Sequence, residues 1–339
     1  MRETVGDLTE SQILDLILPI LRRSDSPDVE LGPGDDSAVV RAPHGTFTVS
    51  TDVLVEGRHF RNEWSTGYDV GWRAAMQNLA DAAAMGARPT ALVVALVLPA
   101  TTTLAWLADF ARGVAGACER HGASVIGGDI SSGDSIVVAV TVLGDNDGRP
   151  AVTRSGARAG DVIAVAGRLG WSAAGLAVCG RVLQVANENG PVPAQVRAVV
   201  DAYLRPEPAI AEGVSASTAH AMLDVSDGLV LDAQRMAEAS GVSVDLADPL
   251  AASAYDAAIL REVAAWWGVP EGDQPGLVSE WILSGGEDHA MVAAFAPDEV
   301  AEGFRPVGVV VESLAGSAGD VLVQGRRWER DSGWQHFAH

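Results

Sequence analysis

Acidic and hydroxyl side chains recur at five places in this chain, each beside glycine or within reach of an apolar run. They are Asp35 and Asp36 in GPGDD (32–36), Ser50, Thr51 and Asp52 in STD, Asp81 in NLADAAAMGA, Asp129 in IGGD, and Asp224, Ser226 and Asp227 in DVSDG. Carboxylates and hydroxyls are hard oxygen donors of the kind that hold Mg2+. A single GGD or SDG is a common turn sequence, because Asp and Gly both favour turns. Five such sites between strongly apolar segments are another matter, since burying a carboxylate without a partner is costly. Few arginines lie near them in sequence, so a divalent cation is the expected partner. Carboxylate-held Mg2+ beside glycine-rich backbone suits phosphoryl transfer.

The elements that must position these groups follow from periodicity. The run 46–52, TFTVSTD, is rich in β-branched residues and predicts a strand that delivers Thr51 and Asp52 at its end. Gly32 and Gly34 around Pro33 predict a tight loop carrying Asp35 and Asp36. Residues 67–89 predict a long helix stopped by Gly86 and Pro89, with apolar residues all round it, so Asp81 inside it needs a partner. A strand over 90–99, a helix over 103–121, a buried strand running into a Gly-Gly-Asp turn at 127–129, and a strand over 135–144 follow. Ahead of them, residues 9–23 predict a helix with Thr9 as N-cap and Pro19 kinking or ending it. Composition shifts to Gly, Asp, Arg and Pro around 145–160, which predicts two domains, 1–150 and 151–339. The second restarts with a strand at 161–167 and a helix through 174–185. It continues with helices near 195–204 and 208–218, then a strand, an acidic turn and a helix over 221–241 closed by Gly241, and later strands from 289 and 305. This mixture of elements is that of an α/β or α+β protein.

Composition removes several function classes. All 23 basic residues are arginines, so a Walker-A lysine, a protein-kinase strand lysine and a Schiff-base lysine are excluded together. Any phosphate must be neutralised by arginine, backbone N–H groups or metal. A formal charge of −22 argues against a nucleic-acid surface. The apolar runs, such as 91–100, are too short to span a bilayer, and Cys118 and Cys179 are the only cysteines, so the expected compartment is cytoplasmic.

The motifs resemble those of the thiamine-monophosphate kinase family, in the superfamily that also holds aminoimidazole ribonucleotide synthetase and selenophosphate synthetase. The match spans nearly the whole chain in family order: GDD (34–36), STD (50–52), EGRHF (56–60), NLAD then AAMGA with Pro89, IGGD (126–129), TRSGARAGD (153–161), DVSDGL (224–229), SGGED (284–288) and GW (333–334). EGRHF and the terminal GW favour this family over its relatives. The resemblance implies an α+β fold, an α/β sandwich, in which an N-terminal mixed sheet dimerises into a β-barrel and a C-terminal α/β domain completes the active site. It implies a homodimer with the nucleotide in a cleft between domains, and transfer of the ATP γ-phosphoryl to thiamine monophosphate with several Mg2+ ions. Carried over by position, it makes Asp36, Ser50, Thr51, Asp52, Asp81, Asp129, Asp224 and Asp227 metal ligands. Gly128, Asp129, Arg154 and Ser226 would contact ATP, and His59, Glu287 and Trp334 would contact thiamine monophosphate. Of these, Asp52, Asp81, Asp129, Arg154 and Asp224 would carry catalysis. The chain departs from the family pattern at Ala80, Trp171 and His289, where Ser, Asp and Tyr are usual.

Other readings stay open at this level. One is a superfamily enzyme that uses ATP on a purine-pathway substrate. Others are a nucleotide or thiamine-phosphate sensor without turnover, and a metal-dependent phosphatase.

Overall fold

The computed structural model describes residues 4–21, 27–33, 37–188, 190–313 and 319–328. Asp35, Asp36 and Trp334 lie outside the described residues. The chain divides into two compact units, Met1–Ala83 with Ala87–Ala151, and Ala84–Gly86 with Val152–His339. Its architecture is mixed α/β.

In the first unit, a short 3-10 turn at Val5–Asp7 leads into helix α1 (Glu10–Leu21), strands β1 (Val29–Leu31), β2 (Val39–Val40) and β3 (Thr48–Val55), and helix α2 (Gly67–Ala84). Strand β4 (Arg88–Leu98), helix α3 (Leu104–His121), and strands β5 (Ser124–Ser132) and β6 (Val137–Asp145) complete it. Thr9 caps α1 as expected, its Oγ1 accepting from Gln12 N while Gln12 Oε1 accepts from Thr9 N. Pro19 neither ends nor interrupts α1. It sits in the last turn, where one lost backbone bond is all that its missing N–H removes.

The main sheet of this unit has the order β3-β6-β4-β5, antiparallel except for the β4–β5 pair that α3 connects. It is open, with β3 and β5 as its edges, and among the described residues no barrel closes. Two local expectations fail here. Thr51 and Asp52 lie in the middle of β3, which continues to Val55. The Gly127-Gly128-Asp129 run is strand, not turn, paired in parallel with Val93, Val94 and Ala95. A Cβ at Gly128 would clash with the Val94 carbonyl, and the register shifts between Leu92 and Val93. Glycine here serves close approach of two strands at a bulge, which a sequence pattern cannot tell from a turn.

Helices α2 and α3 cross just as closely. A Cβ on Gly67, Gly71 or Gly113 would run into the backbone carbonyl of Trp106, Phe110 or Tyr68 respectively. Thr66 and Asp69 start α2 with reciprocal caps, Asp69 Oδ2 accepting from Thr66 N at 2.8 Å and Thr66 Oγ1 from Asp69 N at 3.3 Å.

The second unit opens with β7 (Val162–Ala166), α4 (Trp171–Asn187), α5 (Ala194–Leu204), α6 (Ile210–Ser215), β8 (Ala221–Val225), α7 (Leu229–Ser240) and β9 (Ser243–Leu246). Then come α8 (Pro249–Ala252), α9 (Ala254–Trp267), α10 (Gln274–Ser284), β10 (Ala290–Phe295), β11 (Arg305–Val311), β12 (Val321–Val323) and β13 (Arg326–Arg327). Its seven-stranded sheet runs β13-β12-β9-β11-β7-β10-β8, and only β9–β12 is parallel. Every residue of β10 is buried, as its unbroken apolar run AMVAAF requires. Gly241 closes α7 in the left-handed conformation.

Candidate active-site residues

Alternation along β3 sorts the STD motif between two faces. Ser50 and Asp52 face α2. Ser50 Oγ donates to Asp81 Oδ2 at 2.8 Å, and Gln77 Nε2 donates to Asp52 Oδ2 at 2.9 Å. Gln77 and Asp81 are four residues apart, so they share one face of α2. Thr51 turns the other way; its Oγ1 donates to Val140 O at 3.0 Å and accepts from Thr141 Oγ1 at 3.1 Å. The register places Asp129 in the row of Ala95, Ala139 and Val53, one step from the row that holds Asp52, Val140, Val94 and Gly128. Asp129 is exposed, whereas Asp52 and Asp81 are half-buried. The structure therefore joins Ser50, Asp52 and Asp81, and assigns Thr51 and Asp129 to the opposite-facing rows. Gly128 and Asp129 also line a cavity of about 560 Å3 with Leu14 and Ile17 of α1 and Val114 of α3.

Past β3, the EGRHF motif makes a tight turn pinned by buried Phe60. Gly57 takes φ 79° and its N–H donates to Phe60 O at 2.8 Å. Glu56 Oε2 accepts from Ile136 N at 3.1 Å. His59 Nδ1 accepts from Val55 N at 2.9 Å, which leaves the ring proton on Nε2.

In the second unit two loops interlock. The DVSDG loop leaves β8 and the SGGED loop enters β10, its neighbour in the sheet. Glu287 N donates to Ser226 O at 2.8 Å and His289 N to Val225 O at 3.0 Å. A Cβ at Gly228 would meet Ser284 O at 2.8 Å, and one at Gly286 would meet Ser226 O at 2.6 Å, so both glycines permit the approach. His289 Nδ1 stands 3.0 Å from Asp224 Oδ2. Arg235, on α7, spans Asp227 and Asp232 through Nη2 and Nη1, at 2.6 and 2.7 Å. Asp232 Oδ2 also accepts from Asp227 N at 3.0 Å, and burial, with the charge of Asp224, pushes its carboxyl up to about 7. Arg154 is exposed; its carbonyl accepts from Ser240 Oγ at 3.4 Å.

These contacts correct the premise that nearby basic partners are lacking. Arg235 meets Asp227 and His289 meets Asp224, both from positions outside the sequence motifs themselves or, for His289, one residue past one. Gln77, Asp232 and Arg235 were missed as well. Gln77 had a signal: a polar side chain four residues before Asp81, on the same face of the helix. The Trp171 departure is accommodated by Asp256, whose Oδ1 accepts from Trp171 Nε1 at 2.8 Å, and by the Arg168 guanidinium 4.6 Å from the ring centroid.

Hard oxygens at Ser50, Asp52 and Asp81 suit Mg2+ as a donor set. Among the described residues, no three His, Cys, Asp or Glu side chains form a ready metal cluster.

Comparison with known proteins shows what the chain as a whole is similar to. Residues 34–145 match the family described as AIR synthase related protein, N-terminal domain. Over 337 residues the chain is 42% identical to the thiamine-monophosphate kinase of Mycobacterium tuberculosis strain CDC 1551, covering 98% of this chain and 93% of that protein. The solved thiamine-monophosphate kinase of Stenotrophomonas maltophilia K279a superposes with a TM-score of 0.74 at 28% identity, covering 95% of this chain and 98% of that one. AaThiL complexed with AMPPCP and TMP gives a TM-score of 0.72 at 28% identity, covering 99% of each chain.

Proposed function

The chain belongs to the thiamine-monophosphate kinase family, and we propose that it transfers the γ-phosphoryl group of ATP to thiamine monophosphate, giving thiamine diphosphate and ADP. The observation that carries this reading is the polar set on the α2 face of β3, Ser50 on Asp81 and Gln77 on Asp52, in a chain with the fold of a protein solved with AMPPCP and TMP. The acceptor phosphate is already ionised at pH 7, so a phosphate oxygen attacks the γ-phosphorus in line while the bond to the ADP oxygen breaks, without a strong general base. Asp52 and Asp81 would hold Mg2+, with Ser50 fixing Asp81 and Gln77 fixing Asp52. When bound, Mg2+ supplies the positive charge that offsets repulsion between two polyanions. Arg154, permanently charged and exposed, is suited to phosphate oxygens. His59, with its proton on Nε2, can donate to thiamine monophosphate, and Glu287 can pair with its cationic ring.

Asp224, Asp129, Thr51 and Ser226 stay in the proposal on the family pattern, as do Gly128, Asp36 and Trp334. Asp227 belongs to it through its backbone loop, its carboxylate being held by Arg235. The domains 1–150 and 151–339 would divide the work into a nucleotide and metal half and a half that completes the site. No described helix is long and apolar enough to cross a membrane. Both cysteines are buried and neither is in a disulfide, which suits a reducing, cytoplasmic setting, and the charge of −22 argues against a nucleic-acid surface.

We also propose a homodimer. Val49 and Val53, on the outer face of the open sheet, are 62% and 47% exposed. Apolar side chains repeated on one sheet face are what a second copy would cover in forming a shared barrel. Val53→Glu is expected to halve the mass seen by light scattering without loss of circular dichroism; a wild-type chain already monomeric would reject the dimer.

The function is tested with purified protein, ATP, Mg2+ and thiamine monophosphate, with thiamine and an aminoimidazole ribonucleotide precursor as parallel acceptors. Thiamine diphosphate is expected to accumulate in step with ADP. Transfer only to another acceptor would move the activity elsewhere in the superfamily, and binding without transfer would mean a sensor. Phosphate release without ATP would mean a phosphatase.

A further inference from the structure

Helix α4 begins without a cap of its own. Gly170 occupies the N-cap position and offers no side chain, so the first N–H groups of the helix need acceptors from elsewhere. Asp288 supplies them from more than a hundred residues downstream. Its buried carboxylate accepts from Gly170 N at 2.5 Å through Oδ2 and from Ser172 N at 2.8 Å through Oδ1. Ser172 adds a third link, its Oγ donating to Glu287 O at 2.8 Å. The first turn of α4 and the end of the SGGED loop thus form a closed ring of bonds.

Glu287 sits inside that ring in an unusual state. Its φ is +68°, in the left-handed region that a non-glycine residue occupies only when its surroundings hold it there. Its N–H is bound by Ser226 O on one side and its carbonyl by Ser172 Oγ on the other. His289, on the far side of Asp288, is tied differently, by its bond to Val225 O and its ring against Asp224. Removing the Asp288 carboxylate would therefore loosen Glu287 while strand pairing keeps His289 and Asp224 in place.

We infer that Asp288 is a positioning residue for the acceptor side of the reaction, clamping the SGGED loop to α4 so that Glu287 keeps its left-handed conformation. The inference rests on the proposed function for its substrate readout only. Burial pushes the Asp288 carboxyl up to about 7, while the Ser172 and Gly170 N–H groups that it accepts from act in the opposite direction.

The test uses the full chain with Asp288→Asn and, separately, Ser172→Ala, which deletes the hydroxyl that donates to Glu287 O at 2.8 Å and lies 3.4 Å from Ala202 O. In folded Asp288→Asn the dissociation constant for thiamine monophosphate, measured by calorimetry without ATP, is expected to rise about tenfold, with the KM for ATP within about twofold of wild type. Ser172→Ala is expected to shift in the same direction by a smaller factor. Amide hydrogen exchange at 284–289 gives a readout that needs no substrate, and it is expected to speed up at Glu287 in both variants. Unchanged exchange at Glu287 overturns the clamp whether or not the wild-type chain phosphorylates anything. Equal weakening toward both substrates in a folded variant overturns its assignment to the acceptor side. If Asp288→Asn does not fold, Ser172→Ala decides alone, and wild-type affinity and exchange in it reject the inference. A wild-type chain without transfer to thiamine monophosphate would sink the function while the exchange result still judges the clamp.

Discussion

Asp81→Asn is expected to lower kcat by about a thousandfold at saturating Mg2+ and both substrates, with the melting temperature within about 2 °C of wild type. The two halves of this expectation come from different atoms. Asn is isosteric with Asp, and its Oδ1 can still accept from Ser50 Oγ, so the β3–α2 contact survives. What disappears is the charge, in a helix whose neighbouring Ala80, Ala82 and Ala83 are buried and supply no other donor. An amide oxygen is a much weaker ligand for Mg2+ than a carboxylate, and no lysine exists anywhere in the chain to share the neutralisation of phosphate. Asp52→Asn should behave in the same way, because Gln77 Nε2 can keep donating to the new amide oxygen. Steady-state kinetics over a Mg2+ titration, beside thermal melts, checks both variants. A folded variant with near-normal kcat at saturating Mg2+ would remove that residue from the metal set. A loss that more Mg2+ fully restores would leave it a ligand that affects affinity alone.

Much of this was legible from residue types. The helix carrying Asp81 followed from its apolar residues and its Gly and Pro stops, and the strand before it from TFTVST. What stayed hidden depends on distances between chain segments remote in sequence. Gly127-Gly128 reads as a turn because local chemistry allows one, yet β4 presses on Gly128 from some thirty residues away and keeps it in a strand. Thr51 reads as a partner of Ser50 and Asp52, but the period of two along β3 turns it to the opposite face once the strand extends past Asp52. The region of α8–α10 gave no reading, since its apolar residues are mixed with alanine, serine and acidic groups. The Asp288 clamp was invisible for the same reason as the His289–Asp224 pair: a side chain at the end of one loop meets groups of an element far away in the chain, and only the fold brings them together.

Gly71→Ala is expected to destabilise the first unit by about 3 kcal/mol, a fall of about 10 °C in its melting transition, although alanine is intrinsically the better helix former by about 1 kcal/mol. The sign is decided by what the added methyl meets. At Gly71 it would meet the backbone carbonyl of Phe110, which cannot rotate aside, so α2 and α3 must separate. Gly116 of α3 provides the control, because there the nearest atom is the Tyr68 hydroxyl at 3.2 Å, the far end of a side chain that can move. Gly116→Ala is therefore expected to be neutral or mildly stabilising. The separation at Gly71 should also reach the chemistry, since α2 holds Gln77 and Asp81 against β3, and a shift of about 1 Å in a catalytic group can cost about a hundredfold in rate. Melting curves and kcat for the two variants, taken side by side, distinguish close packing from simple glycine content. Equal behaviour of Gly71→Ala and Gly116→Ala would mean that the helices tolerate a wider spacing, and that the glycines of α2 are not what keeps Asp81 beside Ser50.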